Sequence, residues 1–267
     1  MQIASLADLI GRHRRLFVLT GAGCSTDSGI PDYRDANGGW KRSPPVSFQS
    51  FMGSVAVRQR YWARSLVGWQ HFRRAEPNPA HAALARLEQN GHLETLVTQN
   101  VDGLHQAAGS THVIDLHGRL DTVRCMDCEG LTPREQLQAE LLECNPGWDT
   151  FQARTAPDGD ADLDALSFAE FRVPSCARCG GVLKPDVVFF GESVPRCRVE
   201  SAMRALERAD AMLVIGTSLM VYSGYRFVQA AAQSGKPIAA VNLGRTRADE
   251  LLTLKVSERC ALALSSI

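Results

Sequence analysis

The stretch Leu16-Phe-Val-Leu-Thr-Gly-Ala-Gly-Cys-Ser-Thr-Asp-Ser-Gly-Ile-Pro-Asp-Tyr-Arg34 constrains this chain most. Its apolar run, Leu16 to Leu19, predicts a buried strand. The run breaks into Gly21-Ala22-Gly23, and Ser25-Thr26-Asp27-Ser28 then supplies residues that cap helices. Strand, glycine turn and helix start together make the usual seat for a diphosphate. Glycines let the backbone approach closely, and free N–H groups at the helix start face the anion. A lone Gly-x-Gly fits an ordinary βα turn equally well, so the rest of the chain must decide.

Downstream, short strands are predicted at Leu96–Thr98, Val113–Leu116, Ala211–Ile215 and Ile238–Val241. They end in Gln99-Asn100-Val101-Asp102, His117-Gly118, Gly216-Thr217-Ser218 and Asn242-Leu243-Gly244. Helical patterns lie between them, at about 3–15, 55–67, 199–208 and 224–234. A further helix has Asn78 as N-cap, Pro79 at its first position and Gly91 as its stop. His81 on its first turn reads as a packed or capping histidine. Ligands of open parallel sheets sit beyond the carboxyl ends of the strands, so the polar strand ends are expected to converge on one crevice.

From Arg119 to about Lys184 the texture changes, with Pro133, Pro146-Gly147, Pro157-Asp158-Gly159-Asp160 and Pro174 and two Cys-x-x-Cys pairs. This reads as an inserted module, after which the alternation resumes with Val187 to Phe190. The expected fold is α/β: residues 1–118 and 185–267 form a Rossmann-like parallel-sheet domain, and residues 119–184 form a smaller zinc-binding insert. A length of 267 residues suits one large or two unequal domains.

Lys+Arg and Asp+Glu balance at 29 each, so no global field favours nucleic acid or an anionic membrane. No apolar run is long enough to span a bilayer. The first ten residues carry Asp8 and lack a basic start and a long apolar core, so a cytoplasmic, reducing location is expected. There, Cys125/Cys128 and Cys176/Cys179 read as a four-thiolate site for one structural zinc ion, with no coordination position left for catalysis. Two redox dithiols are the competing reading. Cys24, Cys144 and Cys197 read as packing or incidental thiols.

The glycine turn lacks the third glycine of the dinucleotide fingerprint, and no acidic strand end follows about twenty residues on. A hydride-transfer enzyme is therefore disfavoured. His117 ends a strand beside a glycine, and an imidazole with a pKa near ~6.5 suits general-base work. Asn100 and Asp102 supply an amide and a carboxylate at alternate positions facing the same way.

Thr20-Gly-Ala-Gly-x-Ser25, Ser28-Gly-Ile-Pro-Asp-Tyr-Arg34, Thr98-Gln-Asn-Val-Asp102, Leu116-His-Gly118, the paired cysteines and Lys184-Pro-Asp-Val-Val-Phe-Phe-Gly191 occur in one order through nearly the whole chain. In these motifs the chain resembles the sirtuins, NAD-dependent protein deacylases. Tyr61-Trp-Ala-Arg64, the long cysteine-bearing insert and Val221-Tyr-Ser-Gly-Tyr225 are most similar to the class II, mitochondrial-type branch, whose activities include removal of larger or acidic acyl groups and ADP-ribosyl transfer.

The resemblance implies roles. Gly21, Ala22 and Gly23 would contact the diphosphate, and Ile30, Pro31, Asp32, Tyr33 and Arg34 would form the cofactor-binding loop. Ile30, Asp32 and Asp102 would lie near the nicotinamide carboxamide, and Gln99 and Asn100 would hold the nicotinamide ribose. Gly216, Thr217, Ser218, Asn242, Leu243, Gly244 and Cys260 would surround the adenosine half. His117 would be the proton acceptor, with Asn100 beside it in catalysis. An acyl-lysine protein substrate would add as a strand along Phe190, Gly191 and Glu192, with Val221 on its other side. Ser223 departs from the family, which mostly carries proline there. Tyr61 and Arg64 would read an acidic acyl group, against a plain reading as core tyrosine and surface arginine. NAD would be consumed as a co-substrate, giving nicotinamide, O-acyl-ADP-ribose and free lysine. Protein ADP-ribosyl transfer and a weakly catalytic NAD-sensing scaffold are the alternatives.

Overall fold

The computed structural model describes residues 2–42, 44–151, 161, 163, 166–265 and 267. The stretch Pro157 to Asp160 of the expected insert lies outside them. Nine strands are formed among the described residues: β1 (Leu16–Thr20), β2 (Leu93–Thr98), β3 (Val113–Asp115), β4 (Gly118–Cys125), β5 (Leu131–Pro133), β6 (Leu183–Val187), β7 (Ala211–Ile215), β8 (Ile238–Val241) and β9 (Leu254–Val256). They divide between two compact units, residues 1–43, 76–116 and 194–267 in the first and residues 44–75 and 117–193 in the second.

The first unit is a six-stranded sheet in the order β3-β2-β1-β7-β8-β9, parallel throughout. Successive strands wind outward from β1 in one direction and then from β7 in the other, which is the order of dinucleotide-binding folds. The continuous apolar runs follow from burial on both faces. Leu16 and Val18 point into one core with Leu213 and Ile215, while Phe17 and Leu19 enter the opposite core with Met212 and Val214. The first face is covered by helices Gln2–Arg12, Pro79–Gln89 and Cys260–Leu264, through Leu6, Ile10, Ala83, Leu84 and Ala263. Helices Arg196–Arg208 and Tyr222–Gln233 cover the second, through Ala202, Leu206, Phe227 and Val228.

The α-helix expected directly after the glycine turn does not form. Two short 3-10 turns, Ala22–Cys24 and Thr26–Ser28, take its place, and the second stops at Gly29 with φ 84°. Ser, Thr and Asp compete for backbone hydrogen bonds in this stretch, and a left-handed glycine followed by Ile30-Pro31 ends any helix. The turn is held from outside instead. Asn78 Nδ2 donates to the Cys24 carbonyl at 2.8 Å and to Ser28 Oγ at 3.0 Å, while its Oδ1 caps helix Pro79–Gln89 at Ala80 N–H, 2.8 Å away.

The second unit is built on an antiparallel sheet, β5-β4-β6. Here the alternation expected to resume at Val187 does not. Leu183–Val187 pairs antiparallel with Gly118–Cys125, with Lys184 opposite Arg124, so the chain is still in this sheet there. The parallel alternation returns only with helix Arg196–Arg208. Helix Val55–Phe72 belongs to the same unit: fully buried Trp62 donates its indole N–H to the Leu183 carbonyl at 3.2 Å. Buried Arg134 lies over the Trp62 and Trp69 rings, 5.4 and 5.2 Å from their centroids. No described helix is long and apolar enough to cross a membrane.

Because Asn78 ties the glycine turn to a helix start, Asn78→Ala should cost about 1–3 kcal/mol. Urea denaturation reads this directly; an unchanged midpoint would show that the turn holds itself.

Candidate active site

The loops after β1 and β7 meet backbone to backbone. Gly21 N–H donates to the Ile215 carbonyl at 3.0 Å, and Gly23 N–H to the Gly216 carbonyl at 2.8 Å. A Cβ on Gly23 would stand 2.9 Å from that same oxygen, and one on Gly216 (φ 61°) 2.2 Å from Cys24 N. Side chains at these positions would push the two strand ends apart. The glycines thus act first on the protein itself, and the closed turn they allow lies at the carboxyl end of β1.

Ser25 is the hub beside that turn and is fully buried. Its Oγ donates to Asp102 Oδ2 at 2.7 Å and accepts from Asn100 Nδ2 at 3.0 Å. Asn100 Nδ2 also donates to the Gly21 carbonyl at 3.1 Å, and its backbone N–H to Thr98 Oγ1 at 3.1 Å. Asp102 Oδ1 accepts the Leu104 N–H, 3.0 Å away. Both amide hydrogens of Asn100 are therefore used within the protein, and its amide oxygen is left to accept from a ligand hydroxyl. Gln99 Nε2 bonds the Thr20 carbonyl at 3.2 Å and Thr217 Oγ1 at 3.0 Å. Gly224 lies against Gln99, where a Cβ would come within 2.6 Å of Oε1.

The loop after Ser28 wraps on Trp40. Ile30 is buried, Pro31 and Asp32 are half-buried, and Asp32 pairs with Lys41. The Arg34 guanidinium stacks 3.5 Å from the Trp40 ring centre and donates to the Gly38 carbonyl at 3.1 Å. Burial pulls its pKa below the usual arginine value. Tyr33 meets the same ring edge-on at 6.2 Å. At β8, Asn242 Nδ2 donates to the Gly244 carbonyl at 2.9 Å, and Gly244 packs against the Ala36 backbone. Leu243 is exposed, Ser218 is half-buried, and Cys260 is buried, its thiol pushed up to about 12 chiefly by burial.

The second unit holds the other expected residues. His117 precedes Gly118 (φ 80°), and its carbonyl accepts from Val188 N–H at 2.8 Å. The Phe190 carbonyl accepts from Phe48 N–H at 2.8 Å, and the Gly191 carbonyl from Gln49 Nε2 at 3.0 Å. Glu192 Oε2 accepts from the buried Lys184 Nζ at 3.1 Å and from Phe189 N–H at 2.8 Å. That carboxylate clamps its own turn. Burial lowers the Lys184 pKa, against the pull of Glu192. Tyr61 is buried among Phe51 and Phe189, with ring centres 5.3 Å from each, and Arg64 lies one turn further along the helix, half-buried. Val221, in the first unit, caps helix Tyr222–Gln233 and stays exposed.

The four cysteines come together. Their sulfurs lie within 4.8 Å of one another, with Cys125–Cys179 at 3.5 Å and Cys128–Cys176 at 3.8 Å. Four thiolates at Zn–S distances of about 2.3 Å stand about 3.8 Å apart, so the cluster fits one tetrahedral zinc ion. The backbone N–H groups of Cys128 and Asp127 bring the Cys125 thiol down to about 7, while Cys179, despite the Gly181 N–H, is pushed up to about 12 by hydrogen bonds to the neighbouring thiols. Purified protein should carry one zinc per chain. Cys176→Ser should lose it and melt at lower temperature; full zinc retention in that variant would contradict the assignment.

Ser25, His81 and Gly224 were absent from the expected ligand set. Ser25 stood inside the glycine motif, where a serine reads as a cap, and only the fold brings His81 to Ser25 and Gly224 against Gln99.

The sequence profile of the Sir2 family matches residues 21–223. An NAD-dependent protein deacetylase of Xanthomonas axonopodis pv. citri (strain 306) is 68% identical over 98% of this chain and 89% of its own length. One from Bordetella bronchiseptica (strain ATCC BAA-588 / NCTC 13252 / RB50) is 63% identical over 99% and 97%. Among solved structures, a Sir2–p53 peptide–NAD+ complex is 32% identical with a TM-score of 0.82, covering 100% of this chain and 97% of that one. A Sir2 bound to acetylated peptide is 31% identical with a TM-score of 0.80, over 100% and 97%. With this sheet order, the four-cysteine cluster and these matches, the chain belongs to the Sir2 family.

Proposed function

We propose that this chain is an NAD-dependent protein-lysine deacetylase. The observation that carries the reading is the Ser25–Asn100–Asp102 constellation at the ends of β1 and β2, which leaves one amide oxygen for a ligand hydroxyl. The names of the Xanthomonas and Bordetella relatives support it, as do the neighbours solved with NAD+ and acetylated peptide.

In this reading the first unit binds NAD. Gly21 to Gly23 take the diphosphate, Gln99 and Asn100 the nicotinamide ribose, and Ile30, Asp32 and Asp102 the carboxamide. Pro31, Tyr33 and Arg34 close the loop, while Gly216 to Ser218, Asn242 to Gly244 and Cys260 surround the adenosine half. Phe190 to Glu192 offer backbone to the acyl-lysine peptide. Glu192 serves by holding that turn, because its carboxylate oxygen is taken by Lys184 and Phe189 N–H.

The substrate acyl oxygen attacks C1′ of the ribose, and nicotinamide leaves with the electron pair of the broken bond. His117 accepts a ribose hydroxyl proton, and the freed oxygen attacks the acyl carbon. Water completes the transfer, releasing free lysine and O-acyl-ADP-ribose. The zinc cluster, closed by Cys125, Cys128, Cys176 and Cys179, stiffens the second unit and touches no step.

Within the family, the Tyr61-Trp-Ala-Arg64 motif supports a place in the class II branch, with preference for larger or acidic acyl groups. Arg64 would bond a distal carboxylate, a charge-assisted contact worth roughly 1.5–3 kcal/mol.

His117→Tyr should lower turnover by about 10²–10⁴-fold with the thermal transition retained; undiminished deacetylation would remove His117 from the mechanism. Arg64→Met should lower kcat/KM for succinyl- or glutaryl-lysine peptides about ten- to a hundredfold more than for acetyl-lysine. Parallel losses across the three acyl groups would contradict the acidic preference.

A further inference from the structure

Beneath Ser25 lies a buried cluster that the proposed reaction does not use. Cys24, His81 and His105 place one sulfur and two ring nitrogens within 4.8 Å of one another, all buried. It is poorly suited to a metal. Both His81 nitrogens have partners in the protein, and the Cys24 thiol is pushed well above its usual value by burial, with further push from Cys260, Asp102 and Asp27. Its hydrogen bonds lead instead toward the ribose-binding amide.

The His81 ring has its proton position dictated by the backbone. Its Nδ1 accepts the Asn78 N–H at 3.2 Å, so Nδ1 carries a lone pair and the ring proton sits on Nε2. That Nε2–H faces Ser25 Oγ at 3.4 Å, a long contact. A hydroxyl accepting from His81 and from Asn100 Nδ2 has one place left for its own hydrogen, and Asp102 Oδ2 receives it at 2.7 Å. The groups facing His81 are Ser25, Asn78, the Asp102 carboxylate, the Cys24 thiol and the His105 ring, whose centre is 4.8 Å away. His105 is itself held neutral, lowered to about 3 chiefly by burial and then by His81. Burial likewise lowers His81, against the pull of Asp102.

We propose that His81 is a positioning residue for the nicotinamide-ribose site, directing the Ser25 hydroxyl onto Asp102 and thereby fixing the Asn100 amide. The inference rests on the assignment of Asn100 and Asp102 to that half of NAD. It distinguishes His81 from a helix cap that happens to be buried: the Nδ1 side of the ring serves the helix, and the Nε2 side serves the site.

The two sides separate by substitution. His81→Asn keeps an acceptor near the Nδ1 position and loses the Nε2 donor; His81→Gln keeps a donor near Nε2 and loses the cap acceptor. A positioning role predicts that His81→Asn lowers kcat/KM for NAD about fivefold to tenfold, the effect of losing one hydrogen bond. The KM for the acetyl-lysine peptide should stay within twofold of wild type, on the order of measurement error. His81→Gln should keep kcat/KM for NAD within about twofold to threefold while melting at lower temperature than His81→Asn. In a Ser25→Ala background, the His81→Asn loss should vanish, because the relay is already cut. Equal losses in the two variants, losses that follow melting temperature, or an undiminished His81→Asn effect in the Ser25→Ala background would each overturn the proposal. NAD affinity by calorimetry, without peptide, should rank the variants in the same order, and the reverse order would also overturn it. If the variants rank this way in NAD affinity while the wild-type protein deacetylates nothing, the proposed activity alone is overturned.

Discussion

The contact on which the first unit depends is the approach of Gly23 to Gly216, two backbones at hydrogen-bond distance with no room for a Cβ on either. It occurs between β1 and β7, where the strand order reverses direction and an open parallel sheet leaves its crevice. Closing the two loops there lets the turn after β1 run as two tight 3-10 turns in place of a long helix. The same turn carries Ser25 inward, within reach of Asn100 and Asp102 at the end of β2. A helix continuing from Gly23 would carry Ser25 elsewhere. The short turns exchange a helix terminus for a buried hydroxyl that orders an amide and a carboxylate.

The second unit solves a different problem. Its antiparallel sheet has only three strands, and a core of large side chains, with Trp62, Phe51 and Phe171 fully buried, is joined by contacts of other kinds. Four cysteine sulfurs spaced for a zinc ion close one end. Elsewhere a buried arginine, Arg134, is covered by two indoles and bonds Ser65 Oγ at 3.3 Å, and Lys184 is held by Glu192 and backbone carbonyls. Each buried cation is met by π faces, an anion or hydroxyl and carbonyl oxygens, as low dielectric demands.

The parallel sheet was legible because its signals are local. β7 and β8 run over the residues expected, and Asn78 caps its helix as expected, while His81, expected to pack or cap, is buried and closes a capping box. The cysteine pairs were legible because thiol spacing is itself a geometric statement. Three things were not. The turn after Gly23 carries helix-capping residues, but tertiary bonds from Asn78 take the place of a helix. Val187 looks like a returning parallel strand, because an apolar run carries no information about its partner's direction. Short β9 and helix Cys260–Leu264 are stabilised by the core they complete, with Val256, Ala263 and Leu264 buried, and little in their own sequence announces them. At the site, strand-end amides and carboxylates were readable one by one. The hydroxyl that joins them was hidden in a motif whose serine has an ordinary local explanation.

A fold that splits its dinucleotide differs in its products from one that draws hydride from it. Product stoichiometry tests that most directly: purified protein, NAD and an acetyl-lysine peptide, with nicotinamide, ADP-ribose products and free lysine quantified by mass spectrometry. Equal amounts of nicotinamide, O-acetyl-ADP-ribose and deacetylated peptide are expected, none formed when NAD is omitted. Deacetylation without NAD, or appearance of the reduced dinucleotide in place of nicotinamide, would contradict this expectation.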